Sequence, residues 1–195
     1  MEFKNYVGIL NDSLAKCLVT GRKQKAFSVQ GAISLVVKNV IKCGKAGKKV
    51  MFVGNGGSAS IASHMAVDFW KNALVPAFCF NDPAQLTCLA NDYGYEKVFS
   101  APIEIFAGEG DILFAISSSG QSLNIFNAVQ SARKKKCWVI TLAGFRPDNP
   151  LRKSGDINFY IPDDSYGIVE SAHSIICHHV LDAIIHLRNR DKTSS

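Results

Sequence analysis

Lys49-Val50-Met51-Phe52-Val53-Gly54-Asn55-Gly56-Gly57-Ser58 runs without a break into Ala59-Ser60-Ile61-Ala62-Ser63-His64-Met65-Ala66-Val67-Asp68-Phe69-Trp70. A short Val- and Phe-rich run reaches a glycine cluster, after which apolar residues recur at helical spacing, so the stretch predicts strand, tight turn and helix. In an open α/β sheet such a turn lies at the carboxyl end of a strand, and the following helix aims free N–H groups and its positive dipole end at whatever sits there. Glycines let the backbone approach an anion closely, and Ser58 adds a hydroxyl. His64 and Asp68 are four residues apart and share a helix face, an acid/base or metal pair behind an anion cradle.

Outward from this stretch the same grammar repeats. Upstream, apolar residues at Phe3, Val7, Leu10, Leu14 and Leu18 predict a helix from about Phe3 to Leu18, and a second from about Ala26 to Cys43 follows a polar break at Thr20–Gln24. Downstream, strands are predicted at Ala77–Phe80, Ile112–Ile116, Cys137–Leu142 and Ile157–Ile161. Helical segments fall between them, and a last helix runs from about Ile168 to Leu187. Alternation of strand and helix predicts a parallel sheet covered on both faces, with a flavodoxin-like strand order as the simplest candidate. The expected architecture is a three-layer α/β/α sandwich with a five-stranded parallel sheet. It forms one domain over 1–195, with N-terminal helices in 1–47 and the α/β core in 48–190.

The chain has 195 residues, a net charge of +6 and 47% hydrophobic residues, enough for a substantial core. Disorder is expected only in the tail from Asp191. Basic clusters at 42–49 and 133–136 fall where helices should end and complement the helix dipole, so no nucleic-acid surface is expected. The six cysteines (17, 43, 79, 88, 137 and 177) include no CxxC pair and read as small reduced core residues. The N-terminus has no basic-then-apolar signal, and no apolar run approaches the roughly 20 residues of a membrane span. A cytoplasmic protein without a membrane partner is expected.

Gly-Asn-Gly-Gly-Ser lacks the spacing of a dinucleotide fingerprint, and no Gly-Lys-Ser/Thr follows it, so no nucleotide cofactor is expected. A second turn, Ser117-Ser118-Ser119-Gly120-Gln121-Ser122, brings four hydroxyls to another helix start. One cap needs one serine, so the surplus suits a phosphate. Among the remaining histidines, His173, His178 and His179 share the last helix, and the residues alone do not choose between them.

The two turns, with Asn91-Asp92-Tyr93-Gly94-Tyr95-Glu96-Lys97-Val98-Phe99, Gly108-Glu109-Gly110-Asp111 and the spacing of His173 and His178, resemble the phosphoheptose isomerase family of SIS (sugar isomerase) domains over nearly the whole chain. The resemblance implies a flavodoxin-like fold, a homotetramer with sites at subunit interfaces, and conversion of sedoheptulose 7-phosphate to glycero-manno-heptose 7-phosphate for surface polysaccharide. It also implies Ser58, Ser117, Ser118, Ser119 and Ser122 on the phosphate, with Gly56 and Gly57 in the same turn, Asn55 and Asp92 on the sugar, and Glu170 among the substrate contacts. Asp68 stands at the position of the base and His178 at that of the acid. Zinc, in members that bind it, would fall to His64, Asp68, Glu170 and His178. The chain departs from the family's pattern in carrying Asp68 for the usual glutamate and Glu170 for the usual glutamine. It also lacks, in Gly167-Ile168-Val169, the acid common just before that glutamine.

The chemistry has its own logic. Moving a carbonyl between C1 and C2 of a sugar requires a base beside the carbonyl, a donor at the oxygens and an enediol between them, work suited to a carboxylate and a histidine. A divalent metal can act there as a Lewis acid, and two histidines with two carboxylates suit zinc. The alternative is a non-catalytic SIS-type protein that binds a sugar phosphate or a partner, as the DnaA-binding initiation relative does. Such a protein is expected to lose the acid and base that this chain keeps.

Overall fold

The computed structural model describes residues 1–193, with side chains through 190. The central strands are β3 (Val50–Gly54), β4 (Ala77–Cys79), β5 (Ile112–Ser117), β6 (Trp138–Ala143) and β7 (Ile157–Tyr160), all parallel and ordered β4-β3-β5-β6-β7. That is the flavodoxin-like order, and it reverses between β3 and β5, whose carboxyl ends therefore flank the crevice where such sheets bind ligands. These strands are continuous apolar runs because both faces are buried. Val50, Phe52, Phe114 and Ile116 point into one core; Met51, Val53, Leu113 and Ala115 point into the other.

Helices α1 (Phe3–Ala15), α2 (Val29–Lys45), α3 (Gly57–Lys71) and α7 (Tyr166–Thr193) lie on the first face, and α4 (Pro83–Tyr93), α5 (Ser100–Phe106) and α6 (Leu123–Lys134) on the second. Phe52 stacks on Phe114 at 4.9 Å and meets Phe69 of α3 edge-on at 5.1 Å, pinning the helix that carries His64 and Asp68 to the middle of the sheet. Burial pushes the Cys17 and Cys43 thiols up to about 11, and those of Cys137 and Cys177 to about 12, as expected for unreactive core cysteines; Cys88 alone is exposed.

Three expectations are corrected. The sheet has seven strands among the described residues, because the segment read as a helix end, a polar break and the start of the second helix forms β1 (Leu18–Gly21) and β2 (Ala26–Phe27). Strand β1 pairs antiparallel with β7, from Leu18 against Tyr160 to Gly21 against Ile157, so residues 1–47 are not helices alone. Val19 is buried there, and the pairing covers an otherwise open sheet edge. Secondly, α7 is long and apolar enough to cross a membrane. Half of its most apolar window is nevertheless buried within the fold, which accounts for the composition as that of a core helix. Thirdly, α7 continues into the tail as far as Thr193; Ser194 and Ser195 lie outside the described residues.

Candidate active site

The two turns flanking the crevice form one pocket of about 340 Å³, lined by Asn55, Gly56, Gly57, Ser58, Ser117, Ser118, Ser119, Ser122, Tyr166 and Glu170. Gly56 sits at φ 55°, a left-handed conformation that glycine adopts without strain, and α3 starts immediately after it. Gly57 leaves room for the Glu170 carboxylate, which packs so closely on its Cα that a methyl group would overlap it. No lysine or arginine among the described residues lines the pocket. Glu170 is the one charged side chain among the described residues of its lining, so attraction for an anion rests on the N-termini of α3 and α6, each worth about half an elementary charge.

Neither helix start is capped by the side chain of its N-cap residue. Gly56 has none to offer, and the Ser122 hydroxyl makes no capping bond to α6, whereas Ser28 caps α2 through the Gly31 N–H and Asp82 caps α4 through the Gln85 N–H. The serine turn is therefore not spent on capping. Some hydroxyls shape the turn itself: the Gly120 N–H donates to Ser117 Oγ at 3.2 Å, and the Gln121 N–H to Ser119 Oγ at 3.3 Å. The Ser118 hydroxyl is buried without a protein partner, the state expected of a donor awaiting a ligand oxygen. Behind the turn, the Gly144 N–H donates to the Ser118 carbonyl at 2.9 Å and the Leu151 N–H to that of Gly120 at 3.2 Å, fixing its shape.

The second group of residues lies further along α3. His64 Nε2 is 3.3 Å from Asp68 Oδ2, and the His64 ring stands 5.4 Å from that of His178. One ligand atom from each of His64, Asp68 and His178 lies within 4.8 Å of the others. His178 Nδ1 is 2.8 Å from the Ser174 carbonyl, which accepts only, so Nδ1 carries the proton and Nε2 keeps its lone pair. Asp68 Oδ1 accepts from Asn72 Nδ2 at 3.1 Å, which leaves Oδ2 toward His64. Two imidazole nitrogens and a carboxylate oxygen, one histidine being held through its far nitrogen by a carbonyl, fit a divalent metal of the zinc type.

Of the expected residues, the serines, Gly56, Gly57, Asn55 and Glu170 meet at the pocket, and His64, Asp68 and His178 meet at the cluster. Glu170 is not in the cluster: it precedes His178 by eight residues, about 12 Å of helix rise, and its carboxylate rests on Gly57. Asp92 is exposed near the end of α4, where its carboxylate accepts from Asn91 Nδ2 at 2.9 Å, and it lines neither group. His173 is fully buried, and its ring nitrogens make no hydrogen bond. Burial lowers its pKa to about 4, with the Ala143 carbonyl pulling weakly the other way, so it stays neutral within the core. Tyr166, which opens α7 and lines the pocket, was not expected; nothing in Ser165-Tyr166-Gly167 signals it.

A family model described as the SIS domain matches residues 13–144. The phosphoheptose isomerase of Helicobacter hepaticus is 37% identical over 167 residues, covering 83% of this chain and 85% of that protein. The chain belongs to the phosphoheptose isomerase family of SIS-domain proteins. Its family relative from Hamiltonella defensa is 39% identical over 140 residues, 69% of this chain and 68% of that protein. A phosphoheptose isomerase structure from Francisella tularensis superimposes with a TM-score of 0.79 at 27% identity, over 94% of this chain and 96% of that one. The family fold is also that of the Neisseria gonorrhoeae phosphoheptose isomerase, with a TM-score of 0.79 at 24% identity over 94% and 98% of the two chains.

Proposed function

We propose that this chain, a sugar-phosphate isomerase by family, converts sedoheptulose 7-phosphate to D-glycero-D-manno-heptose 7-phosphate in the cytoplasm, supplying heptose for surface polysaccharide. The observation that carries the substrate length is the spacing along α3. From Ser58 at the phosphate-type pocket to His64 and Asp68 is about 9 and 15 Å of helix rise. An extended sugar phosphate spans roughly 9 Å over the seven bonds from phosphorus to C2. With phosphate held by the Ser118 hydroxyl, its neighbours and the α3 and α6 N-termini, C1 and C2 reach the cluster.

There the Asp68 carboxylate takes a proton from C1 while the C1–C2 double bond forms and the carbonyl O2 gains the proton that O1 releases, giving the singly ionised enediol. The C1–O1 double bond then forms as C2 receives the proton held by Asp68, and the aldehyde stands at C1 with no net oxidation. His178 Nε2, free because Nδ1 is committed to Ser174, carries the proton between the two oxygens. Where zinc is bound, His64, Asp68 and His178 would hold it, and it would polarise those oxygens as a Lewis acid in place of the His178 shuttle. Glu170 accepts from a sugar hydroxyl beside Gly57. A homotetramer is proposed as the working form, because Phe3 and Val7 of α1 and Val67 and Trp70 of α3 are exposed apolar side chains.

Turnover of sedoheptulose 7-phosphate by the purified protein tests the assignment, with Asp68→Asn and His178→Gln each expected to lower kcat by about a hundredfold or more. Wild-type inactivity with and without added zinc would sink it, and recovery of a DnaA partner by the inactive protein would favour the binding alternative.

A further inference from the structure

Asn124 is 97% shielded from solvent at the first turn of α6 and does not line the serine pocket, yet its side chain bonds a residue that does, Asn55. Its Nδ2 donates to Asn55 Oδ1 at 2.9 Å, and Asn55 Nδ2 donates to its Oδ1 at 2.9 Å, a reciprocal amide pair between the two turns. The orientation of the pair is decided by the backbone. The Ile125 N–H donates to Asn124 at 2.9 Å and requires an oxygen there, so the atom that Asn124 shows on its other side is nitrogen. Asn55 must then answer with its oxygen. Tyr95 Oη, 3.1 Å away, donates to that same Asn55 Oδ1 and fills its second lone pair.

We propose that Asn124 is a positioning residue for the isomerase site: it locks the Asn55 amide so that a single N–H remains for the ligand, making Asn55 a reader of acceptor oxygens and nothing else. Both lone pairs of Asn55 Oδ1 are occupied, one amide hydrogen is committed to Asn124, and the other is left at the wall of the pocket. The pair also fixes the turn after β3 to the start of α6, the two structures whose N–H groups converge on the anion. A freely rotating Asn55 would present oxygen to the ligand in one of its two orientations and repel a phosphate or carbonyl. The lock removes that state.

This inference rests on the serine pocket being the phosphate seat, and its test separates the two. Asn124→Asp keeps the shape and the acceptor for Ile125 but removes the donor to Asn55. KM for sedoheptulose 7-phosphate and Kd for inorganic phosphate are measured in wild type, Asn124→Asp, Asn55→Ala and the double variant, with Tm for each. Asn124→Asp is expected to raise both constants about tenfold with kcat changed less than about threefold. In the Asn55→Ala background the same change should have no further effect, the signature of one residue acting through another. Equal penalties in both backgrounds, or a lowered Tm with unchanged KM and Kd, would overturn the proposal, as would wild-type protein that binds no phosphate. Phosphate binding without turnover would defeat the assigned reaction alone, and the amide pair would then be judged on Kd.

Discussion

The two ends of the sheet use similar polar residues for opposite purposes. At the amino end Asp111 is fully buried and saturated: its carboxylate accepts from the Lys49 N–H at 3.1 Å, Lys49 Nζ at 2.6 Å and the Gly108 N–H at 2.7 Å. Asp156, just before β7, accepts from the Val139 N–H at 2.8 Å and pairs with Arg22 and Arg133. At the carboxyl end the Ser118 hydroxyl is buried with no partner and two helix starts have no bond from their N-cap side chain, while further along α7 His178 keeps a bare Nε2. A satisfied polar group stabilises the fold; one left unsatisfied costs stability and is available to a ligand.

The contrast is broken most severely at Asp111. Asp111→Ala strips the partner from Lys49 and two backbone donors and should cost about 3 kcal/mol or more, read as a lower urea midpoint, while kcat of the folded enzyme stays within about twofold. The next effect is a pH dependence at the carboxyl side. With its pKa lowered to about 4, His173 remains neutral in the native state where the unfolded chain accepts a proton near pH 6.5. Stability through this group is therefore full above pH 6.5 and is lost as pH falls toward 4, by up to about 3 kcal/mol. Urea midpoints across that range should fall steeply for wild type and less for His173→Met.

Ser118→Ala should act in two directions. Phosphate affinity should drop about tenfold or more, as for a lost hydrogen bond to a charged group, while Tm holds or rises because an orphan hydroxyl has gone. Calorimetric titration with phosphate and a thermal melt read both. Ser28→Ala is the smallest change and the control: it removes a working cap and should cost about 1 kcal/mol with phosphate affinity untouched.

The parallel strands were legible because burial on both faces leaves continuous apolar runs, and the two turns because glycines and surplus serines at a strand end have few structural uses. His64 and Asp68 declared themselves by helical spacing. The hairpin at Leu18–Phe27 did not, since only Val19 and Thr20 carry β-branched character before Arg22 and Lys23 break the pattern. Gly108-Glu109-Gly110-Asp111 read as a family motif, and its aspartate proves to be the amino-end bracket. The signal for Asn124 was a polar residue between Leu123 and Ile125, which acquires meaning only when the fold brings Asn55 across from it.

The β1–β7 pairing carries a consequence for how the chain assembles. Asn158 Nδ2 donates to the Thr20 carbonyl at 3.0 Å across a separation of 138 residues. During synthesis β1 can join only its short hairpin partner β2, and not the central sheet, until β7 has left the ribosome, whereas β3 and β5, which carry the two ligand turns, can pair much earlier. Closing so long a loop is entropically slow. The ligand crevice is thus built first and the sheet margin sealed last, with an exposed β7 edge as the interval's hazard for self-association.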